Sequence, residues 1–232
     1  MKETMHIFFD FDGTLADSSE GIYTAFVHAC ASVSIDPPAL SEFCSCIGPP
    51  IQIVARQLLP GIQSDRLEAL RLKFRAEYDK NCYAQIRWYE GALKGLRLLR
   101  SLESTRLSVV TNKPTQPANA LIASAGISDL FDYVIGVDYR VANKSGSAFD
   151  SKEEAISYAL ALTQCPVRRA VYVGDTLSDQ SASKASGISF VAATYGFYSW
   201  QPHELEGTNI AGNFGEIVEC LCLMARGLRR LD

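Results

Sequence analysis

The sequence predicts an α/β protein, a doubly wound parallel sheet core into which an all-helical segment is inserted. Short apolar runs rich in β-forming residues alternate with longer stretches whose apolar residues recur at three- and four-residue spacing. Strand and helix in alternation imply right-handed crossovers and a Rossmann-like sheet covered on both faces. Residues 16–88 break this rhythm and read as successive amphipathic helices with no convincing strand.

In chain order, the strands are expected at Met5–Phe9, Leu107–Val110, Tyr133–Ile135, Ala170–Val173 and Ser189–Ala192. The core helices are expected at about Glu90–Leu102, Pro117–Ser124, Lys152–Leu162, Asp179–Ser186 and Phe214–Leu228. Inside the insert, Asp36-Pro37-Pro38, Gly48-Pro49-Pro50 and Pro60-Gly61 are breaks, because proline removes a donor and glycine permits a turn; three or four helices follow. This gives a core of residues 1–15 and 89–232 and a helical subdomain of residues 16–88. An insert leaving from a strand's carboxyl end would hang over any ligand bound there, since open α/β sheets bind ligands at that edge.

The 232 residues are 47% hydrophobic and 21% charged, enough apolar material for a packed core. With 22 basic against 26 acidic residues, the charge of -4 offers no electrostatic footprint for nucleic acid or an anionic membrane. Neither a long apolar span nor a signal-peptide layout is read, so a cytoplasmic protein with a small-molecule partner is expected. Seven scattered cysteines suggest reduced thiols rather than a disulfide framework.

Asp10-Phe11-Asp12-Gly13-Thr14 directly follows Ile7-Phe8-Phe9. Two carboxylates at the end of a buried strand are costly to hold there unless a cation or a reaction uses them. A second acidic pair, Asp175 and Asp179, follows Val171-Tyr172-Val173, with Asp179 equally readable as a helix cap. Oxygen ligands without clustered histidine or cysteine favour a hard cation, Mg²⁺. Thr111-Asn112-Lys113 puts a hydroxyl and an amide at another strand end, although it also reads as a plain turn. Lys152 opens a helix, where a cation is a poor neighbour for the helix dipole unless it faces an anion; Lys144 is its rival.

These elements, in this order, resemble the haloacid dehalogenase superfamily, and within it the capped phosphatases such as phosphoglycolate phosphatase and its relatives. The resemblance spans nearly the whole chain and rests on Asp10-Phe11-Asp12-Gly13-Thr14-Leu15, Thr111-Asn112-Lys113, Lys152, and Gly174-Asp175 with Asp179. It implies a Mg²⁺-dependent phosphatase of a small phosphorylated metabolite, phosphoglycolate-like, working through an aspartyl-phosphate. Asp10 would be the nucleophile and Asp12 the general acid and base. Thr111 would bind the phosphoryl group, with Asn112 as a further donor to it, and Lys152 would balance its charge. Asp10, Asp175 and the Asp12 backbone carbonyl would hold the metal, with Asp179 supporting through water. The sequence departs from the commonest pattern at the lysine, which is followed by Glu153-Glu154 after a long polar loop; some phosphoglycolate-phosphatase-like members resemble this arrangement, which favours Lys152 over Lys144.

The loop Ile47–Ile51 resembles a substrate-specificity loop, and Arg56, Gln52, Tyr23 and His28 are the candidate polar contacts of the insert. A phosphomutase would need the same parts. A dehalogenase would need neither metal nor a leaving-group acid, and a non-catalytic phospho-acceptor module would need a long-lived adduct that Asp12 should shorten. Oligomeric state, natural substrate and pathway are left open by the sequence.

Overall fold

The computed structural model describes residues 4–81, 85–138, 149 and 151–227. Six parallel strands form the central sheet: β1 Met5–Phe9, β4 Thr105–Val110, β5 Tyr133–Ile135, β6 Ala170–Gly174, β7 Ser189–Ala193 and β8 Asn209–Ala211, in the order β5-β4-β1-β6-β7-β8. Period-two alternation divides the side chains between two layers. Ile7, Phe9, Val109 and Val171 enter one, beneath helices α5 Ala92–Ser101, α6 Thr115–Ser124 and α9 Phe214–Ala225. Phe8, Val110 and Tyr172 enter the other, against α7 Lys152–Thr163 and α8 Leu177–Ala185. Burying an aromatic such as Phe8 or Phe9 in these layers contributes roughly 1.5–3 kcal/mol.

The expected strands and helices recur with ends shifted by a few residues at most. Two features go beyond the sequence reading: β8 extends the sheet by a strand, and the 16–88 segment has strands at its ends. Ala16–Asp17 (β2) and Arg87–Trp88 (β3) pair antiparallel, Ala16 with Trp88 and Asp17 with Arg87. Between them, among the described residues, lie four helices, α1 Ser19–Ser32, α2 Leu40–Cys44, α3 Ile51–Leu58 and α4 Ser64–Asn81. They share a core of their own, including Phe26, Phe43, Val54 and Leu70.

Strand register positions the chemistry. Phe9 is level with Val109 on one side and Val173 on the other, so Asp10 ends its strand one step before Thr111 and Asp175. Among the described residues no helix is long and apolar enough to cross a membrane. The six cysteines described are free thiols; Cys82 lies outside the described residues.

Candidate active site

Asp10, Asp175 and Asp179 each offer a carboxylate oxygen within 4.8 Å of the others, all three side chains buried. Asp10 continues β1, its N–H donating to the Val173 carbonyl at 2.9 Å while its Oδ1 accepts from the Phe11 N–H at 2.8 Å. Asp175 accepts from the Thr14 hydroxyl at 3.1 Å and from the Phe197 N–H at 2.8 Å. Asp179 serves twice: Oδ2 closes a capping box with the Thr176 N–H and hydroxyl, and Oδ1 accepts from Lys152. Asp179 thus supports the helix start from the third position of the capping box, Thr176 being the N-cap, and also lies in the acidic group.

Glycines make the room. A Cβ at Gly13, whose φ is +80°, would stand 2.1 Å from Asp175 Oδ2; one at Gly196 would stand 2.3 Å from the Asp175 Cβ, and one at Gly174 2.5 Å from the Asp179 Cγ.

Lys152 Nζ donates to Asp10 Oδ2 at 2.7 Å as well as to Asp179. Burial would lower its pKa, but the charges of Asp10 and Asp179 outweigh that and hold it above the ordinary lysine value. Burial, followed by repulsion from Asp179 and Asp10, pushes Asp175 well above the carboxylate range. Asp179 is raised by burial too, with Lys152 opposing. Three converging buried carboxylates with one ammonium between them are under-neutralised. A hard divalent cation would relieve this, so the donor set fits such an ion. Lys144 lies outside the described residues.

Asp12 is turned away from this acidic group. Its Oδ1 accepts from the Ser18 hydroxyl at 2.5 Å and from Lys113 Nζ at 2.7 Å. Its carboxylate is thus not among the clustered ligand atoms. Lys113, buried, also donates to the hydroxyl of Tyr78 on α4 and lies 5.2 Å from the centre of the Phe11 ring. Sequence reasoning quoted Lys113 within a motif and gave it no task. The signal was its place two residues beyond Thr111, in the loop that follows the strand neighbouring β1.

Thr111 is buried, its N–H donating to the Ile135 carbonyl at 2.9 Å and its hydroxyl accepting from the Lys113 N–H at 3.1 Å. Asn112 donates through Nδ2 to the Gly48 carbonyl at 2.9 Å, which fastens the 47–51 loop to the sheet edge. A cavity of about 110 Å³ opens from Asp10, Asp12, Thr111 and Asn112 into the helical segment, where Arg75 and Tyr78 of α4 line it. The candidate polar contacts are placed otherwise: Gln52 and Arg56 are exposed, Tyr23 donates to the Pro38 carbonyl, and His28 approaches Glu77 at 3.4 Å. Arg75 and Tyr78, on one face of α4 at three-residue spacing, were the signal available in the sequence.

The profile of the haloacid dehalogenase-like hydrolase family matches residues 7–193. A phosphoglycolate phosphatase of Cereibacter sphaeroides is 30% identical over 219 residues, covering 93% of this chain and 96% of that protein. Tyrosine-protein kinase PtkA of Mycobacterium tuberculosis is 30% identical over 191 residues, covering 82% of this chain and 62% of that protein. Among solved structures, a haloacid dehalogenase-like family hydrolase from Streptococcus pneumoniae superposes with a TM-score of 0.81 at 26% identity, covering 94% of this chain and 99% of that one. The chain belongs to the haloacid dehalogenase-like hydrolases. Within that family its similarity to phosphoglycolate phosphatases aligns it with the phosphatases.

Proposed function

We propose that the protein is a Mg²⁺-dependent phosphatase of a small metabolite phosphomonoester, acting through an aspartyl-phosphate on Asp10. One observation carries this reading: Lys152 and the clustered Asp10, Asp175 and Asp179 stand at one edge of the sheet, with Asp12 beside them facing the cavity. In this reading residues 1–15 and 89–232 are the catalytic core and residues 16–88 are the cap. The similarity to a phosphoglycolate phosphatase supports it and puts phosphoglycolate first among substrates to try.

Asp10, Asp175 and the Asp12 backbone carbonyl would hold Mg²⁺, with Asp179 supporting; the ion supplies positive charge to the phosphoryl oxygens and to the carboxylates. An Asp10 carboxylate oxygen attacks phosphorus and the bond to the ester oxygen breaks, while Asp12 donates a proton to that oxygen and the alcohol departs. Asp12, now a carboxylate, takes a proton from water as the water oxygen attacks phosphorus, which frees Asp10 and releases inorganic phosphate. Lys152 balances charge on Asp10 and the phosphoryl group, the Thr111 hydroxyl donates to a phosphoryl oxygen, and Asn112 borders the same space while tethering the cap loop. Lys113 and Ser18 fix the direction in which the Asp12 carboxylate points.

The test is release of inorganic phosphate from a panel of small phosphomonoesters with Mg²⁺ and then with excess EDTA. Metal-dependent release is expected. No release by folded protein would move the reading to a phosphomutase, a dehalogenase or a phospho-acceptor module, which product analysis and the lifetime of the phosphoenzyme separate.

A further inference from the structure

Resting on that phosphatase reading, we propose that the leaving-group side of the site takes an apolar alcohol. Preferred substrates are then phosphate monoesters of short branched or cyclic hydrocarbons rather than of hydroxy acids or polyols.

On its helical side the cavity is walled by Ile22, Phe43, Ile47, Ile51, Val54 and Phe74. Phe43 and Val54 belong to the core of the helical segment, so this wall is a continuation of packed interior. Among the described residues, each nitrogen-bearing side chain that lines the cavity already has a partner. Lys113 is paired with Asp12, Asn112 donates to Gly48, and Arg75 is paired with Asp79 at 2.8 Å. A carboxylate on the leaving group would shed its water here and meet, among the described residues of this cavity, no cation lacking a carboxylate partner, which is a costly exchange. A hydrocarbon exchanges water for a matching surface, worth about fourfold in affinity per buried methylene.

The cavity adjoins a second one of about 330 Å³, lined by Lys152 and sharing Pro49, Pro50, Thr111 and Asn112 with it. Isobutanol and phenol are simple branched and cyclic members of the class.

The experiment compares kcat/KM for isobutyl phosphate, glycerol 1-phosphate and phosphoglycolate, using the whole protein with Mg²⁺ and phosphate release as readout. Isobutyl phosphate is expected to lead both polar esters by about tenfold or more. Val54→Thr, which keeps the volume but sets a hydroxyl in the wall, should reduce that ratio several-fold; if the variant does not fold, the wild-type ratio decides alone. Mg²⁺-dependent turnover with phosphoglycolate or glycerol 1-phosphate equal to or ahead of isobutyl phosphate overturns this inference and leaves the phosphatase reading standing. No release from any ester, the activated 4-nitrophenyl phosphate included, overturns both.

Discussion

Lys113 Nζ stands 2.7 Å from Asp12 Oδ1, an ion pair between the loops that follow two neighbouring strands, with side-chain exposures of 1% and 17%. Removing one partner of such a pair leaves the other charge poorly solvated, a cost of about 3 kcal/mol at the lower end of measured cases. Lys113→Met should therefore lower Tm by roughly 5–10 °C. Because the lysine also aims the proposed acid, kcat should fall about 10- to 100-fold with a smaller change in KM. Thermal unfolding and steady-state kinetics on the same preparation check both; an unchanged kcat would remove Lys113 from the mechanism.

Asp10 and Asp12 should fail in different ways. Asp10→Asn is expected to lose on the order of 10³-fold or more in turnover while keeping the fold, since an amide cannot carry the phosphoryl group. Asp12→Ala should form phosphoenzyme from an activated aryl ester faster than it hydrolyses it, so that labelled protein accumulates. Rapid-quench labelling separates the two, and near wild-type hydrolysis by Asp10→Asn would contradict the assignment.

Mg²⁺ should stabilise the protein as well as activate it. At about 100 times its Kd a ligand adds roughly 2.7 kcal/mol, a rise in Tm of about 5–10 °C for a chain of this size. Asp175 and Asp179 have folded pKa values raised by burial. Their protonated forms are thus favoured in the metal-free fold, which loses stability as pH rises through those values. The Tm increment from Mg²⁺ should grow with pH, and Asp175→Asn should abolish most of it. Differential scanning fluorimetry across a pH series measures this directly.

His6 reports on stability from the far end of the sheet. Buried in β1, it shares a hydrogen bond of 2.9 Å with Ser108 and stacks on Phe8, and burial lowers its pKa from 6.5 to about 4. Above about pH 6.5 neither state is protonated there. As pH falls from 6.5 toward 4 the unfolded chain takes up the proton first, and up to about 2–3 kcal/mol of stability is lost. His6→Gln should flatten urea-derived stability across that window relative to wild type; parallel curves would refute the shift.

The part of the fold legible in the sequence was the part built by repetition. β1, β4 and β6 announce themselves as apolar runs ending in Asp10, Thr111 and Gly174-Asp175, and parallel pairing alone then gathers those residues at one edge. β8, only Asn209–Ala211, has too few residues to show a period. The β2–β3 ribbon is fixed by long-range pairing of two residues with two others, which leaves no local trace. Lys113 and Tyr78 meet across 35 positions because α4, packed against α1 and α3, carries Tyr78 to that lysine. Arg56 and Gln52 missed the cavity because tertiary packing set the rotation of α3, turning Val54 inward and those two outward.

The crowding around Asp175 has a consequence for how such a protein can change. Gly13, Gly174 and Gly196 each press so close to a site carboxylate that even a methyl group collides. A saturation library should return these three positions as glycine alone, while the cavity wall at Ile22, Ile51 and Phe74, only half-buried, admits many side chains. Inherited variation is thereby channelled into the helices, and new preferences for what is cleaved can arise there without disturbing the residues that cleave it.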